Sequence, residues 1–337
     1  MKTVLVTGSA GFIGYHLSKL LLAEGFRVVG YDNLNAYYEV SLKERRHAML
    51  HQHPHFSATV ADLEDMEALT RTCADTRPDV IVHLAAQAGV RYSLEAPRDY
   101  INSNVVGTFN VMEMARAHAV DHLLMSSTSS AYGANTDMPF RETDKSDTPL
   151  TIYAATKRAM EGMGHSYAHL HDLPTTLFRF FTVYGPWGRP DMALFKFTSA
   201  MLEGRPIDIY NHGKMERDFT YVEDLVRAIR LLIDTPPPSV DGRGAAIEGD
   251  SLSPAAPYRL VNIGNSASVP LMDFIGEIED ALGVEAIRNY MDIQPGEVVK
   301  TWADGSLLTH LTGYAPSTDV RTGVRAFVAW YRDYYGK

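Results

Sequence analysis

The sequence has little of several features that would each define a class of protein. It contains one cysteine, Cys73, in 337 residues, so a disulfide framework is impossible, and this usage is typical of a reducing cytoplasm. Lysine and arginine form no run that would follow a phosphate backbone, and the net charge is -10, so we expect no nucleic-acid partner. No stretch approaches the roughly 20 apolar residues of a membrane helix, and the apolar start of the chain meets glycines too soon for a signal peptide. We therefore expect a cytoplasmic protein with no membrane partner.

The sequence does contain an alternation of apolar, β-branched runs with helical patterns. The predicted strands are residues 3–8, 26–32, 56–63, 79–86, 122–128, 174–181 and 258–264. The predicted helices are residues 12–25, 65–75, 97–118, 151–171 and 222–234. Nearly continuous apolar strands separated by helices indicate a parallel sheet covered on both faces. We predict an α/β fold with a doubly wound parallel sheet of the Rossmann type.

Three glycines between the first strand and the first helix indicate a dinucleotide site. Gly8, Gly11 and Gly14 form the pattern G-x-x-G-x-x-G, which lets a backbone turn and a helix N-terminus approach a pyrophosphate. Asp32 ends the second strand, 18 residues after Gly14, where a carboxylate takes the ribose hydroxyls and repels a 2′-phosphate. The pattern favours NAD over NADP.

Two points about this site stay open from the residues alone. Lys43, Arg45 and Arg46 lie near Asp32 in the sequence and keep NADP as an alternative. Asp62 follows the third strand, where it either meets the adenine or caps the next helix.

The chain after about residue 183 is predicted to form a second, smaller domain. The alternation loosens into a helix at 191–203 and short strands at 207–210 and 217–221, and the chain closes with an amphipathic helix at 320–335. We predict an NAD-binding domain at 1–182, with a segment near 221–264 returning to it. Residues 183–220 and 265–337 would form a mixed α/β substrate domain. Residues 236–257 are predicted to be a long exposed loop.

A tyrosine and a lysine with helical spacing form a candidate acid/base pair. Tyr153 and Lys157 lie at i and i+4, on one helical face. A nearby ammonium favours the phenolate and lowers a tyrosine pKa that is ordinarily near 10. Thr128, 25 residues before Tyr153, could share the substrate proton. The alternatives are a solvated surface pair and a Ser/Thr-rich turn.

These motifs together resemble the extended short-chain dehydrogenase/reductase family, which includes nucleotide-sugar epimerases and dehydratases. The resemblance covers nearly the whole chain through "YDNLN", "DVIVHLAA", "SNVVGT", "SSTSSAYG", "YAATK", "RFFTVYGP", "RDFTYVEDL" and "QPGEVVKTWAD". It implies a tightly bound NAD that removes hydride from a sugar carbon and later returns it. The cofactor contacts it implies are Gly8, Gly11, Phe12, Ile13, Gly14, Asp32, Asn33, Asn35, Asp62, Leu63, Leu84, Ala85, Ala86, Gln87, Asn104, Ser126, Tyr153 and Lys157.

Within this family the chain is most similar to the enzymes that epimerise UDP-glucuronate at C4. A dehydratase would carry an Asp-Glu pair directly after the catalytic Thr, but this chain has Ser129 and Ser130, so dehydration is not expected. The loop "TVYGPWGRPDMALF" resembles that of the epimerases, in which the Arg matching Arg189 holds the sugar carboxylate. A UDP-glucuronate decarboxylase and a different UDP-sugar 4-epimerase remain alternatives, as does a non-catalytic NAD sensor. An Arg189–Asp191 surface pair is the alternative for that arginine.

The resemblance also implies a substrate set. Its members are Arg91, Ser93, Thr128, Ser129, Ser130, Thr182, Arg189, Tyr210, Arg217 and Glu297. Arg217 is expected at the diphosphate, with pairing to Glu216 or Asp218 as its alternative, and Glu297 at the nucleoside ribose. Gln294 stands where glucose epimerases often carry Arg, which puts one phosphate contact in doubt.

Neither the clustered histidines nor the methionines are expected to form a functional site. "HQHPH" and the pair His165 and His169 lack carboxylates at ligand spacing, so we expect surface histidines and no metal. Four methionines on the two long helices are interpreted as packing residues. The corresponding helices pair across a dimer in the family, so the resemblance implies a homodimer.

Overall fold

Seven parallel strands form the central sheet of the protein. The computed structural model describes residues 1–245 and 247–337. In chain order the strands of the described residues, including those outside the central sheet, are β1 Thr3–Thr7, β2 Arg27–Asp32, β3 Phe56–Val60, β4 Val80–His83, β5 His122–Thr128, β6 Thr175–Phe180, β7 Thr182–Tyr184, β8 Ile207–Ile209, β9 Glu216–Arg217, β10 Phe219–Tyr221, β11 Tyr258–Ile263, β12 Val269–Pro270, β13 Arg288–Tyr290 and β14 Lys300–Thr301. The main sheet has the order β11-β6-β5-β4-β1-β2-β3, so the predicted doubly wound sheet is confirmed. Its strand order reverses between β1 and β4, which is where such sheets bind ligands.

Helices cover both faces of this sheet. In chain order they are α1 Phe12–Ala23, α2 Val40–Leu50, α3 Met66–Thr76, α4 Tyr92–Glu95, α5 Pro97–Tyr100, α6 Thr108–Ala117, α7 Ile152–His171, α8 Ala193–Leu202, α9 Val222–Ile233, α10 Leu271–Leu282, α11 Ser306–Thr312 and α12 Val320–Tyr335. The apolar sides of α1, α9 and α11 form one buried cluster with the sheet, and those of α3, α6 and α7 form the other. None of the helices in the described residues is both long enough and apolar enough to cross a membrane.

The region predicted as one helix at 97–118 consists of three segments with different winding. Helix α5 is followed by a π-helical stretch, Ile101–Gly107, before α6 begins. The wider turns place Asn104 so that its amide donates to the Gln87 carbonyl at 3.0 Å and accepts from the Gln87 N–H at 2.8 Å. A π-bulge of this kind is frequent at functional sites, and here it ties the end of the β4 loop to the helix layer.

The second part of the chain builds its own core beside the carboxyl ends of the sheet strands. Helices α8, α10 and α12 pack around short strands, with Phe219 and Phe274 stacked at 3.9 Å between ring centroids. The predicted strand at 217–221 is interrupted by Asp218, whose carboxylate accepts hydrogen bonds from the N–H groups of Asn265, Ser266 and Ala303. Its side chain therefore joins three chain segments instead of continuing a ladder.

The prediction of an exposed loop at 236–257 is wrong for the later part of that segment. Ser253 and Ala256 are buried, and Asp250 forms a bidentate pair with Arg259 at 2.9 Å for each contact. His165 and His169 each contact this segment at 2.7 Å, at the Ser253 hydroxyl and the Ala255 carbonyl. The two histidines therefore anchor the loop on α7.

The same segment closes the outer edge of strand β11. The Ser253 N–H donates to the Tyr258 carbonyl at 2.9 Å. The Ser251 hydroxyl accepts from the Leu260 N–H at 3.0 Å and contacts the Leu260 carbonyl. Farther along the strand, the Asn262 N–H donates to the Glu142 carboxyl at 2.7 Å. The outward-facing backbone groups of these strand residues thus have partners within the chain.

The methionines predicted to be packing residues are in the core. Met112, Met114 and Met160 are buried in the cluster on the α6 and α7 side, and Met163 packs against it. Among the described residues, no group of three or more His, Cys, Asp or Glu side chains gathers as a metal site would require.

Candidate active site

The turn between β1 and α1 packs so closely against the backbone around it that its key positions have room only for glycine. Gly8 has φ +73°, and a Cβ at this position would lie 2.8 Å from the Ala85 nitrogen. A Cβ on Gly14 would lie 2.0 Å from the Gly8 carbonyl oxygen. The turn therefore folds tightly over the switch point and presents the N-terminus of α1 to the cavity beside it.

This cavity, of about 190 Å³, contains nearly all of the side chains predicted to contact the cofactor. Two members of that predicted set do not line it, Asp62 and Asn104. Asp62 accepts a hydrogen bond from Asn33 at 2.7 Å, and Asn104 holds the backbone of Gln87. The alternative role of Asp62 as a helix cap is wrong, because Asp65 accepts the capping bond from the Ala68 N–H at 2.9 Å.

The carboxylate of Asp32 lines the cofactor cavity and is fixed by backbone donors. It accepts from the Ala10 N–H at 3.0 Å and from the Leu34 N–H at 2.9 Å. Lys43 also lines the cavity, where its ammonium donates to Asn35, and burial lowers the Lys43 pKa to about 8. Arg45 is exposed. The Asp32 carboxylate and the Lys43 ammonium therefore both line this cavity, whereas Arg45 does not.

Tyr153 and Lys157 both project from α7 into this cavity. Burial raises the Tyr153 pKa, while the nearby Thr128 hydroxyl and the positive charge of Arg189 act in the opposite direction. Lys157 donates to the Ser126 carbonyl at 2.7 Å, and burial lowers its pKa to about 7. Arg189 is thus a cation beside Tyr153 that the sequence had not suggested, and it lines the same cavity as Lys157.

A second cavity, of about 450 Å³, adjoins the first and is lined by Thr128, where strand β5 ends. Ser129 and Ser130 follow Thr128 in a 3₁₀ turn, and Thr182 faces them from β7. Tyr37 lines both cavities. A ligand in the second cavity would therefore meet hydroxyl groups next to the tyrosine and the cofactor site.

Two predicted substrate residues lie outside the second cavity. Ser93 is fully buried, and its hydroxyl donates to the Val90 carbonyl at 2.6 Å, so it stabilises the local turn. Arg189 lines the first cavity and forms a bidentate pair with Asp191, at 3.0 Å from Nε and 2.5 Å from Nη2. The alternative pairing considered for Arg189 is therefore present. Each of the two side chains is only 23% exposed, and the pair lies between the two cavities.

The far end of the second cavity is crossed by an ion pair. The guanidinium of Arg91 donates to the Glu297 carboxylate, at 3.0 Å from Nε, and lies 4.1 Å from the centre of the Tyr210 ring. All three side chains line the cavity. Segments 89–92 and 294–299, which are distant in sequence, meet at this contact.

Arg217 lies nearby and binds backbone rather than an acid. Its guanidinium donates to the Val299 and Val298 carbonyls at 3.0 and 2.6 Å. The alternative partners are engaged elsewhere, Glu216 with Lys300 at 2.7 Å and Asp218 with backbone N–H groups. Burial lowers the pKa of Arg217, which is the direction expected for a cation held without a carboxylate.

Tyr37 and Asp191 were not identified from the sequence as site residues. The Tyr37 hydroxyl donates to Asp191 at 3.2 Å, and burial followed by the Asp191 charge raises the Tyr37 pKa to about 12. Nothing in the local sequence marks Tyr37, because its position depends on a contact with a residue 154 positions away.

Comparisons with known proteins match this chain to one family and to similar enzymes within it. Residues 4–244 match the family model described as the NAD dependent epimerase/dehydratase family. The chain is 54% identical over 331 residues to a probable UDP-glucuronate 4-epimerase of Rhizobium meliloti (strain 1021), covering 98% of this chain and 97% of that protein. It is 43% identical over 338 residues to UDP-glucuronate 4-epimerase 4 of Arabidopsis thaliana, covering 99% of this chain and 76% of that one.

A solved structure is similar over the whole length. The crystal structure of UDP-glucuronic acid 4-epimerase from Bacillus cereus in complex with UDP-glucuronic acid and NAD superposes with a TM-score of 0.88 at 31% identity. The match covers 99% of this chain and 100% of that one.

Proposed function

Because the chain belongs to the NAD-dependent epimerase/dehydratase family, we infer that it interconverts UDP-glucuronate and UDP-galacturonate by inverting C4 of the sugar. The observation that carries this inference is the junction of the two cavities, where Tyr153, Thr128 and a lining of hydroxyl groups lie beside a glycine-built dinucleotide site. The relatives named above support the same reaction.

The first cavity fits NAD. The tight glycine turn places the N-terminus of α1 beside the cavity, where its N–H groups suit a pyrophosphate, and the Asp32 carboxylate lines the cavity for the ribose hydroxyls. NAD, when bound there, supplies the hydride acceptor for C4 and returns the hydride in the second half of the reaction. Since the cofactor is restored in each cycle, the purified protein is expected to act without added NAD.

Tyr153 is proposed as the group that takes and returns the C4 hydroxyl proton. Its phenol lines the first cavity and Thr128 the second. Burial raises the Tyr153 pKa, and the positive charge of Arg189 acts against that rise, toward the phenolate. Thr128 would pass the proton between sugar and phenol, which lie in adjoining cavities. Lys157, which donates to the Ser126 carbonyl at 2.7 Å, would hold the end of β5 in place beside the cofactor site.

The fate of the 4-keto acid depends on how its carboxylate is held. The carboxylate on C6 is β to the new ketone and leaves as carbon dioxide if the C5–C6 bond aligns with the π system. We propose that Arg189, Thr182 and the 3₁₀ turn at Ser129 hold it out of that alignment. The Arg189–Asp191 pair then implies an exchange, in which the substrate carboxylate replaces Asp191 at part of the guanidinium fork.

The nucleotide half would occupy the far end of the second cavity. Arg217 is proposed to bind the diphosphate, Glu297 the ribose, and Tyr210 to form a wall for the uracil. The ion pair between Arg91 and Glu297 would have to separate, and Arg91 would then face the phosphates. The side-chain amide of Gln294 instead donates to the Asp292 carbonyl at 3.1 Å, so Gln294 does not supply a contact to the phosphates.

The domain division, the oligomeric state and the cellular location of the protein are also proposals. The division into an NAD-binding domain, 1–182 with 221–264, and a substrate domain of the remainder is supported by β11 joining the main sheet. A homodimer is supported by the exposed apolar residues Ile101, Val106 and Phe109 before and on α6. We also propose a cytoplasmic location, supported by the single, buried cysteine.

The test is incubation of the purified protein with UDP-glucuronate and no added NAD, followed by anion-exchange separation. UDP-galacturonate is the expected product. A UDP-pentose with release of carbon dioxide would instead identify a decarboxylase. In a parallel incubation with UDP-glucose, faster turnover than with UDP-glucuronate would identify a different sugar epimerase. No turnover of either substrate would contradict the proposed function.

A further inference from the structure

The turn that carries Arg189 is held by side chains of the cofactor domain through three consecutive carbonyl groups. The His16 ring, on α1, binds the Pro186 carbonyl through Nε2 at 2.9 Å. The Arg46 guanidinium, on α2, donates through Nη2 to the Trp187 carbonyl at 2.6 Å, with the Gly188 carbonyl at 3.5 Å. Because a carbonyl only accepts, the proton of the neutral His16 ring lies on Nε2.

Arg46 also binds the cofactor turn. Its Nη1 donates to the Ala10 carbonyl at 2.9 Å and to the Tyr38 hydroxyl at 2.9 Å. The N–H of the same Ala10 donates to the Asp32 carboxylate. One guanidinium therefore joins the glycine turn of the first cavity to the loop that ends in Arg189.

The burial of Arg46 is unusual for a residue that serves stability alone. The side chain is 0% exposed, and none of the described residues provides it with a carboxylate within salt-bridge distance. Its Nε atom also has no hydrogen-bond partner. A buried cation without an acid is costly, and an apolar residue of similar size would be less so. Its contacts are specific, however, since they reach the glycine turn, the loop before Arg189, and Tyr38, which lines the first cavity.

The turn itself has little freedom to compensate for the loss of these contacts. Trp187 adopts φ +60°, and Gly185 adopts φ +143° where a Cβ would lie 2.8 Å from Val222. The Trp187 ring packs against Trp330 of α12 at 5.2 Å between centroids. The Trp187 side chain is thus held between Tyr15 of α1, at 5.7 Å between ring centroids, and α12. Its backbone is held by Arg46, and Arg189 follows two residues later.

We propose that His16 and Arg46 are positioning residues that fix Arg189 relative to the sugar carboxylate and thereby suppress decarboxylation of the 4-keto acid. The proposal rests on the proposed function. In the suppressed reaction the C5–C6 bond breaks, its electron pair moves into the C4 ketone to form an enolate, and C6 leaves as carbon dioxide. Protonation at C5 gives a 4-keto-pentose, which takes back the hydride as a UDP-pentose, so no further oxidant or reductant is needed.

The experiment measures the ratio of UDP-pentose to UDP-galacturonate for variants of the full-length protein as purified with its cofactor. Arg46→Met and His16→Leu remove the donors, and His16→Gln keeps an N–H donor of similar reach. Arg45→Met is the matched control, because Arg45 lies on the same helix and is exposed. We expect Arg46→Met and His16→Leu to raise the ratio by about tenfold, which corresponds to one hydrogen bond. His16→Gln and Arg45→Met should stay near the wild-type ratio.

A merely structural role would give a different result. If Arg46→Met and His16→Leu lower the melting temperature and total turnover but leave the product ratio unchanged, the proposal is wrong. If Arg46→Met does not fold, the comparison of His16→Leu with His16→Gln decides, and equal ratios for these two would overturn it. Wild-type protein measured in parallel separates the two proposals. If it makes UDP-galacturonate and only the ratios fail to change, the proposed function stands without the positioning role.

Discussion

Replacement of Arg189 by methionine should weaken binding of the substrate that has a carboxylate and spare the one that lacks it. In the structure the guanidinium makes two contacts with Asp191, at 3.0 and 2.5 Å. A hydrogen bond to a charged group contributes roughly 1.5–3 kcal/mol. Because a bound substrate must displace Asp191, the net gain from the exchange is at the low end of this range, about 1.5 kcal/mol, or about tenfold in Kd.

The assay is calorimetric titration of UDP-glucuronate and UDP-glucose into protein that also carries Tyr153→Phe, so that turnover does not interfere. UDP-glucose is the control ligand, since it differs by having a hydroxymethyl group in place of the carboxylate. We expect Arg189→Met to raise the Kd of UDP-glucuronate about tenfold and to leave that of UDP-glucose within about twofold. Arg189→Lys keeps the charge without the fork and should fall between. Equal weakening of both ligands, or no change in either, would refute the reasoning.

Three further predictions concern catalysis, cofactor retention and pH. Tyr153→Phe should lower kcat by at least about 100-fold with little change in substrate affinity; Tyr290→Phe, at an exposed tyrosine, is its control, and a loss of activity equal in both would contradict the role. Gly8→Ala should yield protein without NAD, because the new Cβ would meet Ala85. The control is Gly25→Ala, at φ +84° with nothing within 4 Å, which should only lose about 1 kcal/mol of stability. The amount of NAD released on denaturation of each variant measures the difference. Burial raises the pKa of Glu142 from 4.5 to about 7, so the folded protein holds a proton that the unfolded chain loses, and the free energy of unfolding should fall as pH rises from 4.5 to 7. Glu142→Gln should then be more stable than wild type by about 3 kcal/mol at pH 8 and nearly equal to it near pH 4.5, as urea unfolding at the two pH values would measure.

Features that depend on local chemistry could be predicted from the sequence. The seven strands of the sheet follow from continuous apolar runs, and the glycine turn follows from spacing, because the same few residues both form the turn and leave room for the ligand. Tyr153 and Lys157 share a cavity because helical geometry fixes residues four positions apart.

Features that depend on distant contacts could not be predicted. Arg46 reaches a carbonyl 141 positions away, and His16 one 170 positions away, so neither could be distinguished from other polar helix residues. Ser93 was expected at the substrate but its hydroxyl is taken by a carbonyl three residues back, since a short polar side chain bonds locally where it can. The winding of residues 101–107 was also missed, because hydrophobic periodicity does not distinguish a π-helical turn from an α-helical one.

The closure of strand β11 by residues 251–253 limits how copies of this protein can associate. An open outer strand is a template on which a strand from another molecule can add and so extend the sheet without limit. Here the backbone groups that such a strand would need at Tyr258 and Leu260 are already taken by serines of the same chain. Addition of a strand at these two positions would first have to break hydrogen bonds that the chain already makes. A substitution such as Ser251→Ala would reopen one step of that template, and slow aggregation at high concentration would be its first sign.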